Sequence, residues 1–80
     1  MTEDIRQKIE RFKLLCEQLV EEDKSIFIKF FEGNLERWCS AEILSVGENN
    51  LYFKPFKGHG VGEKIQVRWV NISELKEYEE

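Results

Sequence analysis

Long apolar runs are missing. No more than three apolar residues stand together anywhere in the 80-residue chain. That excludes a bilayer-spanning helix, which needs about 20 apolar residues in succession. The opening Met-Thr-Glu-Asp is acidic and has no apolar stretch behind it, so it does not read as a secretory signal, and the expected location is cytoplasmic. Histidine occurs once, as His59. No serine has a nucleophile-elbow setting that would hold it against this imidazole, so serine–histidine chemistry lacks its parts. Cysteine occurs twice, at Cys16 and Cys39. This pair has no metal-ligand spacing and reads as two free, buried thiols. The Asn71-Ile72-Ser73 match to a glycosylation acceptor means nothing without a secretory route. No catalytic residue, metal or cofactor is expected, and the chain reads as non-enzymatic.

Proline occurs once, as Pro55. Basic charge is also in short supply: 12 Lys and Arg stand against 16 Asp and Glu, a net charge of −4. That balance opposes indiscriminate binding to nucleic acid. The deficit is uneven. Residues 1–24 carry seven acids and five bases, and the tail from Ser73 is acidic. Between Leu51 and Trp69 only Glu63 faces Lys54, Lys57, Lys64 and Arg68.

What is present is a folded composition, 41% hydrophobic and 35% charged, of a length for one domain over residues 1–80. Residues 3–22 read as an amphipathic helix. Thr2 is its cap, Glu3 and Asp4 lie in the first turn, and Ile5, Ile9, Phe12, Cys16 and Leu19 form a 4-3-4-3 seam flanked by Leu15 and Val20. The helix either lies on its own domain or mediates self-association. The period then changes to two. In residues 25–31, Ile26, Ile28 and Phe30 alternate with Phe27, Lys29 and Phe31, so one face should fill a core and the other receive the helix. Residues 36–46 form the longest expected strand, with small Cys-Ser-Ala where it must bend. In this strand Trp38 falls out of phase with Cys39, Ala41 and Ile43. Residues 51–56 form a strand that should lie at an edge or end near Pro55. Residues 57–63 form a loop, 64–70 a strand with Ile65, Val67 and Trp69 inward, 71–74 a helical corner and 75–78 a closing strand.

The segment 51–69 is the candidate binding face. Tyr52, Lys54, Phe56, Lys57, His59, Lys64 and Arg68 project from it between core residues, and Trp38 is a candidate anchor. Such a strip suits a protein partner, self-association or an acidic or extended peptide; stacking aromatics beside cations also suit RNA or single-stranded DNA. Gly58-His59-Gly60-Val61-Gly62 leads into a strand rather than a helix, so it reads as a flexible, exposed loop and not as a phosphate cradle.

The helix (1–24) and the barrel expected over 25–80 together resemble a known superfamily pattern. Ile28-Lys29-Phe30-Phe31-Glu32-Gly33, then Ala41-Glu42-Ile43-Leu44-Ser45-Val46, then Leu51-Tyr52-Phe53 and a strand ending at Ile72 resemble small β-barrels of the Sm-like kind. Trp38-Cys39-Ser40-Ala41-Glu42-Ile43 also resembles the second strand of Tudor-like and other Src-homology-3-like (SH3-like) barrels. The resemblance implies an N-terminal helix before a small, bent, five-stranded antiparallel barrel. It carries over no functional residue, because the turn Gly47-Glu48-Asn49-Asn50 lacks the Sm RNA-contact pattern. The expected function is a protein-interaction module acting through the 51–70 hairpin face. The alternative is an Sm-like nucleic-acid-binding protein.

Overall fold

A computed structural model describes residues 4–79. The amphipathic segment forms helix α1 (Ile5–Glu21). Its N-cap is Asp4, whose carboxylate accepts the Arg6 backbone N–H at 3.0 Å. The expected cap Thr2 lies outside the described residues. The helix stops where Asp23 adopts φ 57°. The Lys24 N–H then reaches the Leu19 carbonyl at 2.8 Å and the Asp23 N–H reaches Val20 at 3.1 Å, a Schellman closure with aspartate where glycine is usual.

Five strands follow: β1 (Ile26–Glu32), β2 (Leu35–Val46), β3 (Asn50–Gly58), β4 (Ile65–Arg68) and β5 (Ile72–Glu77). A 3₁₀ turn, Trp69–Asn71, joins the last two. The order in the single antiparallel sheet is β4-β3-β2-β1-β5. The chain is therefore one helix on a small curled sheet, a half-barrel, as the sequence pattern predicts.

The curl has local causes. β2 loses register with β3 between Ser40 and Ala41 and again between Ile43 and Ser45. Each irregularity bends the strand. Cys39, Ser40 and Ala41 are all buried at the first bend, where small side chains let the sheet curl tightly. Pro55 sits just past Phe53↔Ile65, the last β3–β4 pair, so its missing N–H costs no ladder bond on that side. Its carbonyl instead accepts the Gly62 N–H at 3.0 Å and ties down the loop before β4.

Alternate residues fill the concave face. Ile26, Ile28, Phe30, Leu51, Phe53 and Val67 belong to one core with Cys16 and Leu19 of α1. Phe30 and Phe53 meet edge to face at 5.8 Å. Ile9, Phe12 and Leu15 pack against the same cluster, and α1 lies on β2, the 3₁₀ turn and β5. The helix thus plugs the concave side. The expectation that one face of β1 fills the core and the other receives the helix is overturned: Cys16 and Leu19 join the same Ile26–Ile28–Phe30 face that fills the core. Ile5 and Val20 are also corrected. Both are exposed, one at the first turn of α1 and one on the flank of its seam.

Trp69 is core, 2% exposed, but in the 3₁₀ turn rather than in a strand to residue 70. The turn arrives two residues earlier than expected. Its anchor is the Trp69 indole N–H, which donates to the Gly47 carbonyl at 3.0 Å.

Candidate binding groove on the convex face

With the helix on the concave side, the convex side of the sheet carries its own side chains without cover. Pairing places Lys57 (β3) beside Ser40 (β2), Ser40 beside Phe27 (β1), and Phe27 beside Lys76 (β5). This row crosses four strands. Three strand spacings of ~4.8 Å separate its ends by about 14 Å. Ser40 is the smallest member, and the row sinks at that point into a groove of about 550 Å³. Phe27, Trp38, Ser40, Lys57, Lys76, Glu77, Tyr78 and Glu79 line it.

Aromatic rings form both walls. Trp38 stacks on Phe27 with centroids 6.2 Å apart and planes at 25°. Tyr78, whose N–H extends the β5 ladder to the Ser25 carbonyl at 3.0 Å, meets Phe56 edge to face at 5.1 Å. Trp38 is 47% exposed and Phe56 46%. These are large rings left in water, and contiguous exposed aromatics mark binding surfaces. The Trp38 side chain lies over Gly58. There φ is +94°, and an added Cβ would come within 2.9 Å of the indole Cζ3 and 2.7 Å of the Trp38 carbonyl. Glycine is what allows the indole to lie flat there.

The cations differ in their engagement. Lys76 Nζ hangs 5.2 Å over the Phe27 ring and 3.6 Å from Glu74. Lys57 has no ion-pair partner among the described residues. Of the lining carboxylates, Glu77 is held by Lys24 at 3.4 Å, whereas Glu79 has no basic partner among the described residues.

The expected binding residues divide. Trp38 and Lys57 line the groove and Phe56 flanks it. His59 does not join them. It is half-buried rather than exposed, its Nε2 lies 3.6 Å from Glu32, and its ring approaches Phe30. It shares a cavity of about 280 Å³ with Glu36, Arg37, Trp38 and Gly58. Tyr52 is half-buried opposite Gln66. Lys54 faces Glu42 across β2–β3. Lys64 precedes β4, and Arg68 borders a separate cavity of about 210 Å³ near Ile9 and Trp69. The 51–70 segment therefore does not present one continuous strip, because its members point to different sides of the curl.

Phe27, Ser40, Lys76, Glu77, Tyr78 and Glu79 are the groove residues that sequence reasoning left out. Phe27 carried a usable signal, being apolar and out of phase with Ile26 and Ile28. Tyr78 is an aromatic in an otherwise charged tail, and only the fold brings it to Phe56.

Neither thiol is a site. Burial, with Glu17 adding to it, pushes Cys16 from 9.0 up to about 12, and burial pushes Cys39 up to about 11. Both are free, protonated at neutral pH and closed to solvent. No group of His, Cys, Asp and Glu suited to a metal ion occurs among the described residues, and no helix among them is long and apolar enough to cross a membrane. No family model matches the chain, and no curated protein or solved structure does.

Proposed function

We propose that the chain is a non-enzymatic, cytoplasmic binding module that docks a segment of another protein in the convex groove. One observation carries this reading. The helix is spent on closing the concave face, while Phe27, Trp38, Phe56 and Tyr78 form an open aromatic trough on the other side. Strand order and the 3₁₀ turn before β5 support the Sm-like or SH3-like reading of the barrel. The binding face moves from the 51–70 hairpin alone to the junction of β1, β2, β3 and the end of β5.

A single-stranded nucleic acid is the second reading, favoured by Lys57 and Lys76 beside stacking rings. A phosphate backbone needs a continuous basic track, however. Here Lys54 faces Glu42, Lys64 and Arg68 lie away from the groove, and Glu77 and Glu79 line it. A protein segment, with fewer and more localised charges, fits better.

The test is selection from a random peptide display library on the intact protein, with Trp38→Ala as the control surface. The reading expects peptides enriched by the wild type and lost on the variant. Enrichment of nothing overturns it. So does salt-sensitive binding of single-stranded oligonucleotides that Trp38→Ala abolishes.

A further inference from the structure

The shape and charge of the groove specify more than a docking place. This inference rests on the reading just given. The row Lys57–Ser40–Phe27–Lys76 puts a cation at each end and a small floor residue between aromatic walls. An extended chain advances ~3.3 Å per residue and points alternate side chains the same way, so side chains at i, i+2 and i+4 span about 13 Å on one side. That span matches the row. An extended segment laid across the strands would set side chain i+2 over Ser40, between the Trp38–Phe27 pair and Tyr78, with side chains i and i+4 above the two lysines.

We infer that the ligand is an acidic segment of the form acid–any–aromatic–any–acid, its central ring seated over Ser40 and its carboxylates held by Lys57 and Lys76. The central ring adds a third layer against Trp38 and Tyr78, with the edge or offset contacts that aromatic clusters favour. Lysine is suited to the ends because its long stem follows a carboxylate that arrives at a variable height. The charges around the groove grade the two ends. Near Lys76, Glu77 is neutralised by Lys24 and Glu74 is shared between Lys29 and Lys76. Glu79 alone faces the groove without a basic partner among the described residues. Lys57, with no acidic partner among the described residues, is the stronger anion site.

Synthetic peptides test this on the intact protein by calorimetry or by tryptophan fluorescence, since Trp38 is exposed and Trp69 buried. The peptide with two glutamates around a central phenylalanine should bind about three- to tenfold more tightly than its glutamine counterpart, and should weaken as salt rises. The double variant Lys57→Glu, Lys76→Glu should reverse that order and favour a lysine-flanked peptide. Both lysines are exposed, so circular dichroism should show an unchanged fold. Glu79→Gln should strengthen binding of the acidic peptide by about two- to threefold. Equal affinity for the glutamate and glutamine peptides overturns the inference, as does a library consensus without acids; in that second case the docking reading stands. A library that enriches nothing overturns the docking reading and the inference with it.

Discussion

The two faces of the curled sheet are made of similar residues and end in different states. The concave face carries Ile26, Ile28, Phe30 and Phe53, and each is at most 2% exposed in the core that the curled sheet forms with Cys16 and Leu19 of α1. The convex face carries Phe27, Phe31, Trp38 and Phe56. Three of these are nearly half exposed among the described residues. Apolar area on the first face returns its transfer free energy on folding, at about 25 cal/mol per Å². On the second face up to about half of that free energy has not been returned on folding, and the proposed docking would draw on it. The contrast teaches that one alternating strand, β1, sets Ile26, Ile28 and Phe30 in the core and leaves Phe27, Lys29 and Phe31 on the other face, where the proposed function uses Phe27.

Truncation should separate the faces most sharply. Phe53→Ala on the concave side should cost about 3–5 kcal/mol, enough to unfold much of a marginal 80-residue domain in a urea titration. A loss below about 1 kcal/mol would mean the core is not closed as described. Gly58→Ala sits between the faces. It forces a left-handed backbone on a β-carbon that would strike the Trp38 carbonyl, and should cost about 2 kcal/mol while displacing the indole. A shift in Trp38 fluorescence together with a lowered melting temperature would confirm both parts.

Alkali reaches the concave side through its two buried thiols. The folded state raises Cys16 from 9.0 to about 12 and Cys39 to about 11, so the unfolded chain gives up these protons first. Stability from this source is whole below about pH 9 and drains as pH rises toward 11 and 12. The slope is about 1.4 kcal/mol per pH unit for each thiol. Chemical denaturation at pH 8 and pH 10.5 should show the loss, and Cys16→Ala should reduce it. A slope unchanged by that variant would contradict the assignment. The smallest effect lies outside both faces: Asp23→Gly at the helix end should gain about 0.5–1 kcal/mol by relieving the left-handed backbone.

Much of the concave side was legible in the sequence and little of the groove was. Period-two alternation marked Ile26, Ile28 and Phe30 as one face, and period 3.6 marked Phe12, Cys16 and Leu19, because burial writes a repeating pattern. The pattern gives faces but not their partners. The Phe27 side was therefore as good a seat for the helix as the Ile28 side until the bends in β2 set which way the sheet curls. The groove depends on register across four strands, which brings Lys57 to Ser40 and Lys76 to Phe27 over separations that no local pattern encodes. Trp38 was visible as an out-of-phase indole; its neighbour Tyr78 was not, because β5 had first to pair with β1.

The most direct test of the division between faces is to measure stability and binding together in Trp38→Ala. A peptide selected on the wild-type protein should bind this variant at least about tenfold more weakly. Its free energy of unfolding should fall by no more than about 1.5 kcal/mol, the scale of one lost aromatic pair. Unchanged affinity, or a collapse of the fold like that of Phe53→Ala, would contradict the account.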